Sequence, residues 1–324
     1  MGHLKAARRA WAWSLRVYAQ NPGRFRLYKR HLRWAVAASI RQAEAHHWFD
    51  FLENPAMGPF LKAHPRLVFR PFAQYVSLRW NWARRVKVIR DTYDFVLKGN
   101  AFLQAAMATP EGGILARLDL DRGQKALIRL RVDPQFRKEG ELGLSLELVG
   151  FPGSVTALAL CFERELDGPW VGLLGSLQGR KGGEEDVIKL ATKVFHGLRP
   201  KNLLLFLVQE MAGALNLSGL RGVGNQIQIF RARMNNPLVP KRRIRFDYDE
   251  FWLEAGGAPR ADGWFELPLA TARRAPEDIK PNKRSMYAKR YALMADLSGQ
   301  IQLVLRAPLM GVDAGPSKEA APSA

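Results

Sequence analysis

The segment from Gly113 to Leu177 limits what this chain can fold into more than any other. Short runs of leucine and β-branched residues alternate there with glycine-bearing turns. Gly113 to Leu120 is one run, Ala126 to Val132 the next, and Asp121, Arg122 and Gly123 form the turn between them. Leu142 to Leu148 alternates strictly, with leucines on one face and Gly143, Ser145 and Glu147 on the other. Val155 to Glu163 and Trp170 to Leu177 complete the series. A period of two residues between turn signals predicts an antiparallel meander of about five strands.

Two helical patterns follow. Glu184 to Phe195 has acidic residues in its first turn and Lys189, Lys193 and His196 toward its end, which suits the helix dipole. Gly197 is a good stop and Pro200 a good first residue for the next helix. In that helix, Pro200 to about Leu215, the apolar run Leu203 to Val208 goes nearly all round, which predicts burial on most sides. Gly219 to Asn225 reads as a turn or short strand, and Gln226 to Phe230 alternates as a strand. Tyr248 to Leu253, Trp264 to Leu269 and a basic helix from about Lys283 to Leu297 end the ordered pattern. Residues 307–324 are rich in Pro, Ala, Gly and Ser and read as a disordered tail.

Residues 1–99 read differently, as a basic helical region. Trp34, Ala37, Ala38 and Arg41 share helical spacing, as do Trp82, Val86, Ile89, Tyr93 and Val96. Pro55, Pro59, Pro65 and Pro71 cut the chain between them into short pieces. The expected class is α+β: a helical N-terminal region, then a mixed, mostly antiparallel sheet with packed helices over residues 100–306.

Charge is uneven along the chain. Residues 1–100 carry nineteen Lys and Arg against five Asp and Glu, whereas the rest carry thirty-one against twenty-five. Such a field suits an anionic partner: a phosphorylated metabolite, an anionic membrane surface or nucleic acid. It equally suits a solvated basic face. Nucleic acid ranks last, because no helix-turn-helix, zinc-finger or aromatic RNA-binding pattern is visible. Trp11, Leu15 and Tyr18 share one helical face beside Arg8, Arg9 and Arg16, the pattern of a helix lying on anionic lipid. Arg16 interrupts any apolar leader region, and the best apolar run, Leu203 to Val208, is far too short for a span of about 20 residues. The expected location is the cytoplasm, with a peripheral position at the inner membrane as the alternative.

Chemistry concentrates around His196 to Asn202. Arg199 and Lys201 sit where a buried helix begins, opposing the positive end of its dipole unless an anion shares the spot. The alternative is that both point to solvent or pair with a nearby Glu. The loop Leu177 to Gly183 is glycine-rich and basic, yet matches neither a Walker loop nor a dinucleotide fingerprint. Asp247, Asp249 and Glu250 lie among aromatics, where a desolvated carboxylate would do acid–base work. They also suit a plain helix start. Cys161, the one cysteine, lies in an apolar run and reads as a small core residue. His46 and His47 are adjacent and make a poor metal pair.

Several segments together resemble one family. Tyr75 to Trp80, Arg85 to Tyr93, Lys138 to Leu142, Leu177 to Gly179, Ala191 to Lys193, His196 to Leu204, Gly222 to Asn225, Tyr248 to Trp252 and Lys283 to Tyr287 look like the VirK/YbjX family of bacterial proteins. The resemblance runs from about residue 25 to residue 303, and His196 to Lys201 is its most specific part. It implies a setting in virulence, envelope stress and tolerance of cationic antimicrobial peptides, without a defined reaction. A second resemblance is to the acyl-coenzyme A-dependent N-acyltransferase core, whose strand-to-helix turn holds the cofactor pyrophosphate. It implies acyl-coenzyme A as ligand, with Gln178, Gly179, Lys193, His196, Gly197, Arg199, Lys201 and Asn202 around it. Glu141 or Asp247 is then the candidate general base. The chain departs from that core: the turn has a single glycine, Pro200 removes a donor, and an extra helix intervenes.

Overall fold

The computed structural model describes residues 2–18, 24–166, 168–179, 185–230 and 246–306. The glycine-rich loop beyond Gly179 and the C-terminal tail therefore lie outside the described residues.

The N-terminal third is helical, as its spacing predicts. Helices α1 (Gly2–Tyr18), α2 (Arg24–Ile40) and α3 (Gln42–Leu52) come first. The pattern around Arg33 to Glu44 is split at Arg41, whose backbone is not helical. Proline then enforces short turns up to Phe72, with α4 (Gly58–Ala63) among them. Helix α5 (Trp82–Lys98) begins at the first residue of its apolar spacing. The Asn81 side chain accepts from the Arg84 N–H and caps it, while Ser77 is drawn into a β-bridge with Gln228. Helix α6 (Ala101–Ala108) follows, capped in the same way by Asn100.

The meander forms as the alternation predicts. Strands β1 (Gly113–Asp119), β2 (Lys125–Arg131), β3 (Leu142–Leu148), β4 (Ser154–Arg164) and β5 (Trp170–Gly179) pair antiparallel in sequence order. The chain then crosses over through α7 (Glu185–Val194) and α8 (Pro200–Ala214) to β6 (Gly219–Val223), which pairs parallel to β5. After α9 (Tyr248–Glu254) come β7 (Ala258–Pro259) and β8 (Trp264–Leu267), and β8 pairs with β6. The strand order is β1-β2-β3-β4-β5-β6-β8-β7, and β5–β6 is the parallel pair in an otherwise antiparallel sheet. Helix α10 (Arg284–Leu305) closes the described chain and packs on α8 and β1. The class is α+β.

Gln226 to Phe230 is not a strand. Its alternation is read instead by a turn in which the Gln228 N–H bonds back to Gly224 and Gln228 bridges Ser77. β6 ends at Val223, and the Ile227 and Gln228 N–H groups both turn back to Gly224 O.

Leu203 to Val208 are all buried, so α8 is the spine of the core. Each such side chain contributes about 1.5–3 kcal/mol of transfer free energy. One apolar cluster runs from Ala6 to Leu305 and joins the N-terminal helices to the sheet. No helix among the described residues is long and apolar enough to cross a membrane.

Beyond Leu174, β5 runs on to Gly179 without β6 beside it. Gly175 is the extra residue of a bulge against β4, and a Cβ there would come 1.9 Å from the Glu139 carbonyl oxygen. Glycine at this point lets the Glu139 backbone lie against β5.

Candidate functional site

Where α7 ends, two consecutive residues turn left-handed: His196 at φ 51° and Gly197 at φ 76°. For glycine this costs little, but for histidine it is strained. The turn is held from both sides. Gly197 N–H donates to Thr192 O at 2.8 Å, a helix C-terminal closure. Arg290 of α10 donates through Nε and Nη2 to His196 O at 3.1 and 2.8 Å. The arginine ties the end of α7 to the first half of α10, and a groove of about 760 Å³ lies between those helices.

Among the described residues, the ionisable side chains lining that groove are all basic: Lys189, Lys193, His196 and Lys289. Thr192, Asn282 and Ser285 add hydroxyl and amide groups, and Ile188 and Met286 supply the apolar surface. Among the described residues the opposing charge beside His196 and Lys289 is Asp121, in the turn after β1, with Oδ2 at 3.9 Å from His196 Nδ1 and 3.7 Å from Lys289 Nζ. Lys189 has Asp186 at 3.6 Å, both largely exposed. Lys193 is exposed and has no ion pair among the described residues.

Of the residues expected to act together, the structure gathers Lys193, His196 and Gly197 in this groove. The others do not line it. Arg199 is exposed at the N-cap of α8, with no side-chain cap bond. Lys201 turns the opposite way, toward the end of β5. Its Nζ lies 3.4 Å from the centroid of the Phe246 ring, and a Cβ at Gly179 would be 3.5 Å from its Cε. Among the described residues no carboxylate pairs with it, and burial lowers its pKa to about 8. Asn202 is exposed one residue further on. Gln178 is bound elsewhere, donating its amide to both Glu139 oxygens at 3.1 and 2.9 Å.

The two candidate bases are already engaged. Glu141 is buried completely, 3.3 Å from Arg70 Nη1, and accepts from the Tyr75 hydroxyl at 2.8 Å and the Tyr93 hydroxyl at 3.1 Å. Cys161 Sγ is 3.0 Å from the Tyr75 oxygen. Burial first, then the charges of Cys161 and Glu141, hold the Tyr75 hydroxyl well above its ordinary range. For Tyr93 the causes are burial and then Glu141. Both phenols therefore stay protonated donors. Burial and Glu141 push the Cys161 thiol up to about 12, so it is no thiolate nucleophile. Asp247 is the N-cap of α9, accepting from Glu250 N–H at 3.0 Å and from Asn225 Nδ2 at 2.7 Å.

Sequence reasoning missed the α10 side of the groove. The signal was present: Ser285 and Met286 fall inside the Lys283 to Tyr287 segment that carries the family resemblance. It also missed Glu139, the buried carboxylate that Gln178 and Gln228 share. Among the described residues no His, Cys, Asp and Glu group has the arrangement of a metal site.

Comparison with known proteins gives the family. The model of a family described as "Protein of unknown function (DUF535)" matches residues 24–303. The uncharacterized protein YbjX of Escherichia coli (strain K12) is 26% identical over 291 residues, covering 88% of this chain and 86% of that protein. An uncharacterized protein of Haemophilus influenzae (strain ATCC 51907 / DSM 11121 / KW20 / Rd) is 26% identical over 306 residues, covering 90% of this chain and 94% of its own length. A second protein of that strain is 35% identical over 131 residues, 40% of this chain and 43% of its own. No solved structure matches. The match takes in the sheet, the crossover and both sides of the groove, and the chain belongs to the DUF535 family, the family of YbjX.

Proposed function

We propose that the protein binds an anionic acyl donor of the phosphopantetheine type in the groove between α7 and α10, as an acyltransferase-like member of its family. One observation carries this reading: a groove of about 760 Å³ in which every ionisable side chain among the described lining residues is basic. That volume suits a cofactor-sized ligand. Lys193 and Lys289 take the phosphate oxygens as charge-assisted donors with His196 beside them, and Ile188 and Met286 receive the apolar part. Arg199 and Lys201, beyond the same turn, extend the positive field toward β5. Glu141 and Asp247 are left out of the acid–base chemistry, because both are committed to buried or capping bonds. The biological setting we assign is the one the family resemblance implies: virulence, envelope stress and tolerance of cationic antimicrobial peptides.

The test is thermal unfolding of the full chain with and without acyl-coenzyme A, for the wild type, Lys193→Ala, Lys289→Ala and Arg199→Ala. A ligand that binds only the folded state raises the melting temperature by mass action. The expected result is a rise in the wild type, reduced in both lysine variants and less so in Arg199→Ala. No rise in the wild type ends this reading.

A further inference from the structure

We propose that α2 is a membrane-docking helix that seats on an anionic lipid bilayer through an exposed apolar ridge. The ridge is Tyr28, Leu32, Val36 and Ile40, which are 62%, 53%, 49% and 70% exposed. Four-residue steps place them in one row along the helix, about 18 Å from end to end. Leu4 and Leu15 of α1 are exposed as well, so α1 and α2 hold six of the twelve large apolar side chains that stand exposed among the described residues. A folded chain leaves single apolar groups on its surface without consequence, but a continuous row marks a contact.

The ridge is not the face that sequence spacing alone selects. Of Trp11, Leu15 and Tyr18, only Leu15 stays exposed. Trp11 packs edge-on against Tyr28 at 5.3 Å, and Tyr18 stacks on Phe69 at 5.8 Å. Tyr18 docks α1 on the body while Trp11 packs within the hairpin against Tyr28 and His31, and Leu32, Val36 and Ile40 of α2 are left exposed.

Charge identifies the occupant. Residues 1–43 hold ten Lys and Arg and not one Asp or Glu. Lys5, Arg8, Arg16 and Arg33 are exposed and form no ion pair among the described residues; Arg9 is the exception, paired with Asp50 and Glu53. A second copy of this chain would bring the same positive field against itself. Nucleic acid would match the charge but leave the ridge without a partner. An anionic bilayer matches both, with headgroups for the cations and acyl chains for Leu32, Val36 and Ile40. The surface lies on the N-terminal hairpin and shares no residue with the groove, so it stands or falls independently of acyl-donor binding.

The experiment is flotation of the full-length protein with vesicles of phosphatidylcholine alone or mixed with phosphatidylglycerol, at low and high salt. The wild type is compared with Leu32→Ser/Val36→Ser and with Arg8→Gln/Arg33→Gln. All four positions are exposed, and circular dichroism melts confirm that each variant folds. The expected result is binding to the anionic vesicles only, weakened about tenfold or more by either variant and by high salt. Failure of the wild type to float with anionic vesicles would overturn the proposal. So would equal flotation of the serine variant, or a lipid-free dimer or DNA complex that the serine variant abolishes.

Discussion

The Asp121 carboxylate lies 3.9 Å from the His196 imidazole, beside a groove whose described ionisable lining is all basic. It also lies 3.7 Å from Lys289, so one exposed carboxylate partly offsets two of the bases assigned to the ligand. Replacing Asp121 with Asn removes that competitor while keeping the side chain's shape. Affinity for an anionic ligand is expected to rise about threefold to tenfold at low salt, and the gain shrinks as salt is added. Titration calorimetry at two ionic strengths measures it.

Lys201 carries a pH signature. Burial lowers its pKa from 10.5 to about 8, so between those values the unfolded chain binds the proton that the folded one has released. Folding stability from this group therefore rises with pH across that window and is flat above it. Urea unfolding at stepped pH is expected to show that rise in the wild type. Lys201→Met, which titrates at neither value, flattens it.

The pair Arg70–Glu141 is structural by this account. Glu141→Ala leaves a buried guanidinium unpaired, and a loss of about 3–5 kcal/mol is expected. Tyr93→Phe removes one phenol donor to a charged acceptor and costs about 1.5–3 kcal/mol. Urea denaturation of both variants checks the order of these losses.

Cys161 is expected to be inert while the protein is folded. With the thiol pushed up to about 12 and fully buried, thiolate at pH 8 is on the order of one molecule in ten thousand. An alkylating reagent should label it at the rate of unfolding and become fast only in denaturant. Rapid labelling of the native protein would contradict the buried cluster.

Gly175 is held to glycine by the Glu139 backbone. Gly175→Ala drives a Cβ into that carbonyl oxygen and should cost about 1–3 kcal/mol, displacing the loop that presents Glu139 to Gln178. A melt reports the loss of stability.

Much of the fold was legible because its signals are local. Leu142 to Leu148 alternates, Pro200 opens a helix, and Leu203 to Val208 is apolar all round, and each becomes the element it predicts. Gln226 to Phe230 alternates equally well and is a turn, since strand formation needs a neighbour and β6 has already ended. Of the residues that line the candidate groove, only some were legible as neighbours. Lys193, His196 and Gly197 sit together in sequence and in space, whereas Lys289 and Met286 come from about ninety residues away and meet them only through packing. Glu139 and Glu141 are two residues apart with the same chemistry. Only the fold shows that one faces Gln178 and Gln228 while the other faces Arg70.

Isothermal titration of acyl-coenzyme A into the full-length protein and into Lys193→Ala/Lys289→Ala tests the central reading most directly. Saturable one-to-one binding in the wild type, weakened about tenfold or more in the double variant, is the predicted result. Equal affinity in the two proteins, or no binding by the wild type, would contradict it.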